Sequence, residues 1–413
     1  MNLIKTSVLT SISTIIKVIS LFVINKVLSF YVGPVGLAIV GQLQDFISMV
    51  TTLSSGGTTQ GIVKYTAEYK TIDEKKRIFS TSVIISLSCS FIMMIVLVIF
   101  SDFWSKLILK DIQYSNIFII FGLTVVLFSL NIVLISILNG QKEIKKFVLV
   151  NIANSLFALI LTSTLIVKLN LLGALYALVI NQSVVFFVTL IFVVKSKWFK
   201  LDYFSGGVDK DSFTKLAKFS LMTLVSAMVV PISLLIIRNH IGENLSWSDA
   251  GYWQGIWYIS SIYLMIITTS LSVYYLPRLA EITSKTELRK EIISGYKIII
   301  PAVSIFAIGI YFFREYVILI AFSEEFLPMA KLFAWQLIGD VIKMAAWLLS
   351  YIMIAKAMAK YFILTEIVFS ISFVTLSILM VNTFGLIGMT YAFTLNYMVY
   401  FITVFLIVKK EIF

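Results

Sequence analysis

Asp340 and Lys343 stand three residues apart in the run AWQLIGDVIKMAAW, residues 334–347, inside a stretch whose length and apolar flanks require it to cross a bilayer. An ionisable side chain at the centre of a membrane helix costs roughly 2.5 to 3.5 kcal/mol on insertion scales, so a charge at that depth is by default a candidate for function. At i and i+3 the two share one helix face with Gln336 and Trp347. Two readings follow: the pair neutralises itself so that the helix can insert, or it lines a polar hollow and changes partner as substrate or a coupling ion binds. Lys17, Lys26, Asp45 and Arg238 raise the same question elsewhere. Asp45 has no cation at i±3 or i±4, so it is expected to pair across helices with Lys17 or to take up a proton.

Other chemistries lack their residues. The chain has one cysteine, Cys89, and one histidine, His240, so no intramolecular disulfide and no His/Cys metal cluster is expected. The glycines at Gly56, Gly57 and Gly61 are not followed by the Gly-Lys-Ser/Thr ending that cradles a nucleotide phosphate. No cofactor, metal or catalytic residue is therefore expected, and energy would come from a gradient or a partner.

The elements that must position these charges are membrane helices. Of 413 residues 60% are hydrophobic and 13% charged, against roughly 25% charged in a soluble domain. Apolar runs of about 20 residues repeat along the chain, each long enough to cross a core of roughly 30 Å as a helix, and the period-2 alternation of a β-barrel is missing. The expected fold is all-α with twelve spans: 8–32, 36–66, 78–101, 115–139, 147–167, 173–194, 216–240, 250–276, 296–313, 327–354, 361–381 and 387–408. The first is expected to be retained rather than cleaved as a signal, because Lys17 breaks its apolar run and no small-residue cleavage site follows.

With the N-terminus in the cytoplasm, inward tails and loops carry 23 Lys and Arg against five outward, which predicts both termini inside. The net charge of +12 is mostly this asymmetry and gives no support to nucleic-acid binding. The longest break, Lys195 to Lys215, divides the chain into two lobes, 1–200 and 201–413, of six spans each. Six is even, so the lobes enter the membrane in the same direction, as parallel repeats do, and a substrate site is expected in a central cavity at the repeat interface. A faint internal alignment agrees: Gly36 through Glu68 parallels Gly251 through Glu281, and Lys26 matches Arg238.

The charges within or at the ends of the spans favour cations: Lys17, Lys26, Lys64, Arg238, Lys331 and Lys343 against Asp45, Asp340 and Glu366. Lys64, Lys331 and Glu366 fall near solvated helix ends. For Lys26 and Arg238 two readings stand, snorkelling to the outer headgroups or facing the cavity, whereas Lys17 is too deep to snorkel easily. An exporter of organic cations would want the opposite balance; a phosphate-bearing substrate wants this one. Trp253, Trp257, Tyr258 and Tyr263, with Trp335 and Trp347, read as interfacial belts and packing, or in part as platforms for a sugar ring.

These residues carry a resemblance. Lys17 and Lys26, Gly33-Pro34 with Gly36-Leu37, Lys64-Tyr65, Trp253-Gln254-Gly255, Tyr275-Leu276-Pro277, the run AWQLIGDVIK and Ala355-Lys356-Ala357 occur in this order over nearly the whole chain. In this the chain resembles the polysaccharide-transport flippases of the multidrug/oligosaccharidyl-lipid/polysaccharide exporter superfamily. It looks most like the bacterial flippases for O-antigen and enterobacterial common antigen, which move undecaprenyl-pyrophosphate-linked sugars. The resemblance implies two lobes in an inverted V around a cationic cavity, alternating access, a place in the inner membrane, no catalytic residues, and a glycan polymerase and chain-length regulator as partners. Asp45 belongs to none of these motifs.

The expected function is translocation of an undecaprenyl-pyrophosphate-linked oligosaccharide from the cytoplasmic to the periplasmic leaflet. Lys17, Lys26, Arg238 and Lys343 are expected to attract the headgroup, and Asp340 with Asp45 to balance charge or couple to an ion. The competing transport reading is a cation-coupled exporter of drugs or metabolites. An enzymatic reading, a glycan polymerase or ligase, wants a large outward loop, whereas the longest outward breaks here, near 102–114 and 314–326, are short.

Overall fold

The computed structural model describes residues 3–196, 198–271, 275–282, 284–356 and 358–412, and side-chain surroundings for these apart from 3–11, 222, 266, 270, 276, 277 and 280. Lys197 and Ala357 lie outside the described residues, as do the side chains of Lys5, Leu276, Pro277 and Ala280. All regular structure among the described residues is helical. Eight stretches are long and apolar enough to cross a membrane. Three of them, Ile12–Ser54, Ile144–Val194 and Ala359–Ile412, run to 43, 51 and 54 residues. At 1.5 Å per residue a straight 51-residue helix would be about 76 Å long, more than twice the hydrocarbon core, so each must turn back and holds two spans. With the 24-residue helix Trp247–Ser270, these stretches make up the twelve expected crossings.

The helices that concern the site are α1 (Leu3–Ser54), α2 (Thr59–Glu68), α3 (Ile72–Ile99), α4 (Ser115–Gly140), α5 (Ile144–Val194), α6 (Lys210–Asn244), α7 (Trp247–Ser270), α8 (Leu276–Glu281), α9 (Lys285–Phe312), α10 (Phe333–Ala355), α11 (Ala359–Phe384) and α12 (Gly388–Ile412). One expected span proves to be broken. The crossing read as 36–66 stops at Ser54 and resumes as α2, because Gly56 and Gly57 both take φ near +65° and end the helix. The crossing read as 250–276 takes in most of α7 and reaches the first residue of α8; residues 272–274 between them lie outside the described residues.

Two turns inside the long stretches match. Asn170, within α5, has φ 50°, and Gly385, between α11 and α12, has φ 65°. Three residues after each comes a glycine, Gly173 or Gly388, against which the incoming helix packs. A Cβ there would lie 1.9 Å from the Leu165 carbonyl oxygen in one case and 2.0 Å from that of Met380 in the other, in both cases eight residues back. The same corner is built twice, 215 residues apart, with Asn at one site where Gly stands at the other.

The described residues fall into two compact units, one of residues 1–31 and 39–231, the other of 32–38 and 232–413. In the first, α4 packs on α5 and on α3. Its helices are joined by buried polar contacts of the kind that hold membrane helices together, Ser129 Oγ donating to Ser54 Oγ at 2.6 Å and Asn131 Nδ2 to Gln182 Oε1 at 3.0 Å. The long break expected after residue 195 is an anchored connection: Tyr203 is buried with Ile78, Phe79, Ile137 and Leu216, and Trp198 and Phe204 pack against them. Asp209 then starts α6, its Oδ2 accepting from Ser212 N–H at 2.8 Å, while Arg77 of α3 lies 3.9 Å away. The Ser212 N–H, then the Ser212 side chain, and more weakly Arg77, hold the Asp209 carboxyl below its ordinary range.

In the second unit α10 packs between α12 and α9, over a core that includes Leu279, Met344, Leu348, Ile352 and Val404. This unit also takes in the corner of α1. Gly33 has φ 65° and ψ −171°, a backbone conformation open in practice only to glycine, and Pro34 restarts the helix after it. The Pro34 carbonyl meets α7 at Gly251, where a Cβ would sit 1.9 Å from that oxygen, and a Cβ on Gly33 would sit 3.0 Å from Glu325 Oε2.

Candidate functional site

Three helices of the second unit, α7, α10 and α12, assemble the candidate site. On α10 the polar residues recur at intervals of four, three and four, Gln336, Asp340, Lys343 and Trp347, which places them along one face. On α7 Trp257, Ser260 and Tyr263 recur every three residues, and on α12 Phe393 and Tyr397 are one turn apart. Ser246 fixes the start of α7, its Oγ accepting from Asp249 N–H at 3.0 Å. Thr394 Oγ1 donates to the Trp335 carbonyl at 2.7 Å, tying α12 to α10 one residue from Phe393.

Asp340 has no solvent exposure. Its Oδ2 accepts from Ser260 Oγ at 2.6 Å and from Tyr263 Oη at 2.9 Å, and Gln336 Nε2 approaches Oδ1 at 3.4 Å. Lys343 is half-buried, and its ammonium is surrounded by rings: Nζ lies 4.8 Å from the centroid of Trp347, 5.3 Å from Trp257, 5.6 Å from Tyr397 and 5.8 Å from Phe393. Ring faces carry negative potential, so such a cage replaces part of the hydration an ammonium loses in a membrane. Among the described residues Asp340 and Lys343 do not form an ion pair. Two hydroxyls bond the carboxylate and four rings face the ammonium, so the two charges sit one turn apart without direct contact.

Arg238, on α6, is 1% exposed, which rules out snorkelling to the headgroups. Its Nη2 donates to Gln254 Oε1 at 2.5 Å and its guanidinium lies 5.5 Å from the Trp253 ring. Two residues of the motif, Trp253 and Gln254, thus hold the arginine, while Gly255 faces Met329.

The remaining candidates belong to the first unit. Lys17 and Lys26 are both on α1, Lys17 exposed and Lys26 half-buried. Nine residues at about 100° each place them on opposite faces of the helix, so they do not project together. Lys17 enters no ion pair among the described residues, and the expected Lys17–Asp45 pairing is therefore not formed; Asp45 is half-buried further along α1. Lys64 lies exposed against the rings of Tyr65 and Phe219, 5.1 and 5.2 Å from their centroids.

The aromatic residues of α7 and the face shared by Gln336, Asp340, Lys343 and Trp347 were visible in the sequence; the partners on α12 were not. Phe393 and Tyr397 belong to an α12 rich in aromatics, where nothing sets them apart. Ser260 was missed as well: it shares a period-three face with Trp257 and Tyr263, which sequence alone does not turn into a partner for Asp340.

A family profile for polysaccharide biosynthesis proteins matches residues 3–283. The chain is 28% identical over 402 residues to the lipid III flippase of Escherichia coli strain K12, covering 97% of both chains. Among solved structures it superposes on an inward-facing multidrug resistance MATE family transporter of the MOP superfamily with a TM-score of 0.79 at 16% identity, covering 95% of this chain and 94% of that one. It superposes on the lipid II flippase MurJ in an inward closed conformation with a TM-score of 0.72 at 16% identity, covering 99% and 89%. At these identities the two structures establish a shared all-helical fold.

Proposed function

The chain belongs to the polysaccharide biosynthesis protein family matched over residues 3–283, and from that membership we propose that it is a flippase, moving a lipid-linked oligosaccharide from one leaflet of the membrane to the other. The observation that carries this reading is similarity along 97% of the length of a protein named lipid III flippase. The substrate we assign is an undecaprenyl-pyrophosphate-linked oligosaccharide, an O-antigen unit or a related surface glycan. It would be taken from the cytoplasmic leaflet of the bacterial inner membrane and released to the periplasmic leaflet by alternating access, with both termini cytoplasmic and no bond made or broken. A glycan polymerase and chain-length regulator would act on the product.

The excess of cations within the membrane-spanning helices supports an anionic headgroup. A pyrophosphate crossing hydrocarbon unaided would bear the full desolvation penalty of its charges, and fixed positive groups offset it. We assign this attraction to Lys17, Lys26, Arg238 and Lys343. Lys17 and Lys26 project from opposite faces of α1. We assign charge balance or ion coupling to Asp340 and Asp45.

The direct test reconstitutes the protein in liposomes with a pyrophosphate-lipid oligosaccharide and measures leaflet exchange. Exchange no faster than in empty liposomes overturns the flippase reading. In cells, Lys17→Ala and Lys26→Ala should each lower surface glycan by at least about tenfold with membrane insertion intact; full activity in both variants removes the assignment.

The shared fold with a multidrug transporter favours a second reading, a cation-coupled exporter. Saturable uptake of a lipophilic cation by the purified, reconstituted protein would support it.

A further inference from the structure

Four aromatic rings on three helices around one ammonium, with a buried carboxylate one turn away, is the arrangement by which proteins bind organic cations: quadrupoles in front, a fixed negative group behind. Here the cation is part of the chain. We propose that Trp257, Trp347, Phe393 and Tyr397, with Asp340, form an organic-cation site whose permanent ligand is the protein's own Lys343. The side chain occupies the cage as a tethered alkylammonium, and in doing so excludes diffusible cations from it. The geometry carries this. The ammonium lies within 4.8 to 5.8 Å of all four centroids, inside the roughly 6 Å range of cation–π attraction. Ser260 and Tyr263 hold the Asp340 carboxylate in place as the fixed negative group one turn away.

The consequence for specificity rests on the flippase reading. A lysine held in the cage adds positive potential for an anionic headgroup while denying the site to the lipophilic cations an exporter would carry. One residue would then serve attraction and exclusion together.

Lys343→Ala removes three methylenes and the ammonium, a volume and charge matched by n-propylammonium. The purified variant in detergent should bind n-propylammonium chloride saturably, read as a change in tryptophan fluorescence from Trp257 and Trp347. The unaltered protein should bind it at least about tenfold more weakly, and n-propanol, of the same length without the charge, should not bind. Adding Trp257→Ala to the Lys343 variant should weaken binding by about tenfold. If the Lys343 variant is poorly folded, n-propylammonium present during extraction should restore its yield and raise its Tm, and n-propanol should do neither. A Lys343→Ala protein that gains neither binding nor yield from the amine over the alcohol overturns the proposal. So does an unaltered protein that binds the amine as tightly as the variant. None of these readouts involves the lipid-linked sugar, so failure here leaves the flippase reading to the liposome measurement.

Discussion

At the scale of single residues the molecule shows what surrounds charges carried on membrane helices. Asp340 takes two hydroxyls, Lys343 four rings, and Arg238 an amide oxygen and an indole. Each charge is preserved and each is held in place. Removing one donor should be felt: Tyr263→Phe is expected to destabilise the protein by about 1 to 3 kcal/mol, seen as a lower Tm in detergent. Combined with Asp340→Asn, the loss should be smaller than the sum of the two single losses, because both changes break the same bond. An additive double variant would mean that the Tyr263 hydroxyl stabilises something other than Asp340. The sequence displayed the charges and the face of α10 that bears them, because four-three-four spacing depends on one helix alone. It did not display their partners. Which hydroxyl on α7 reaches Asp340, or which rings of α12 close on Lys343, depends on how helices distant in the chain pack, and no local periodicity encodes that. The pairing expected between Asp45 and Lys17 missed for the same reason.

At the scale of elements, boundaries were legible where a residue forces the backbone. Gly33-Pro34 turns α1, and Gly56-Gly57, readable as no more than a possible kink, ends it. Paired corners in the two halves give a sharper test. Asn170 adopts a backbone conformation that side chains rarely adopt, so Asn170→Gly should raise the Tm, with a gain of up to about 1 kcal/mol. Gly388→Ala should do the reverse and more, since a Cβ there lies 2.0 Å from the Met380 carbonyl oxygen. Thermal unfolding of the two variants checks both signs. The connection into α6 carries a pH dependence. The Asp209 carboxyl is held below its ordinary value, so its contribution is complete above about pH 4 and disappears as the pH falls through the lowered value. Hydrogen exchange of the amides from 205 to 212, corrected for the intrinsic rate, should accelerate on acidification through that window. Asp209→Ala should exchange fast already at pH 7.

At the scale of the whole molecule, composition and hydropathy were enough to read twelve all-α crossings, because a bilayer imposes length and apolarity on every one. Orientation rests on basic residues, 23 inward against five outward, and it predicts a cytoplasmic C-terminus. A fluorescent protein fused after Phe413 should therefore fold and fluoresce, and alkaline phosphatase fused there should be inactive; the opposite pattern would invert the assignment. Less legible was the path of the chain. Residues 32–38 interrupt a run that otherwise belongs to the first unit and are counted with residues 232–413. During synthesis this has a cost in time. The tip at Gly33-Pro34 leaves the ribosome more than two hundred residues before Gly251 and nearly three hundred before Glu325, the neighbours it will keep. Through most of translation the first hairpin must wait in the bilayer with its end unclaimed, exposed to quality-control proteases, and a nascent chain arrested before residue 325 should be cut there while the finished one is not.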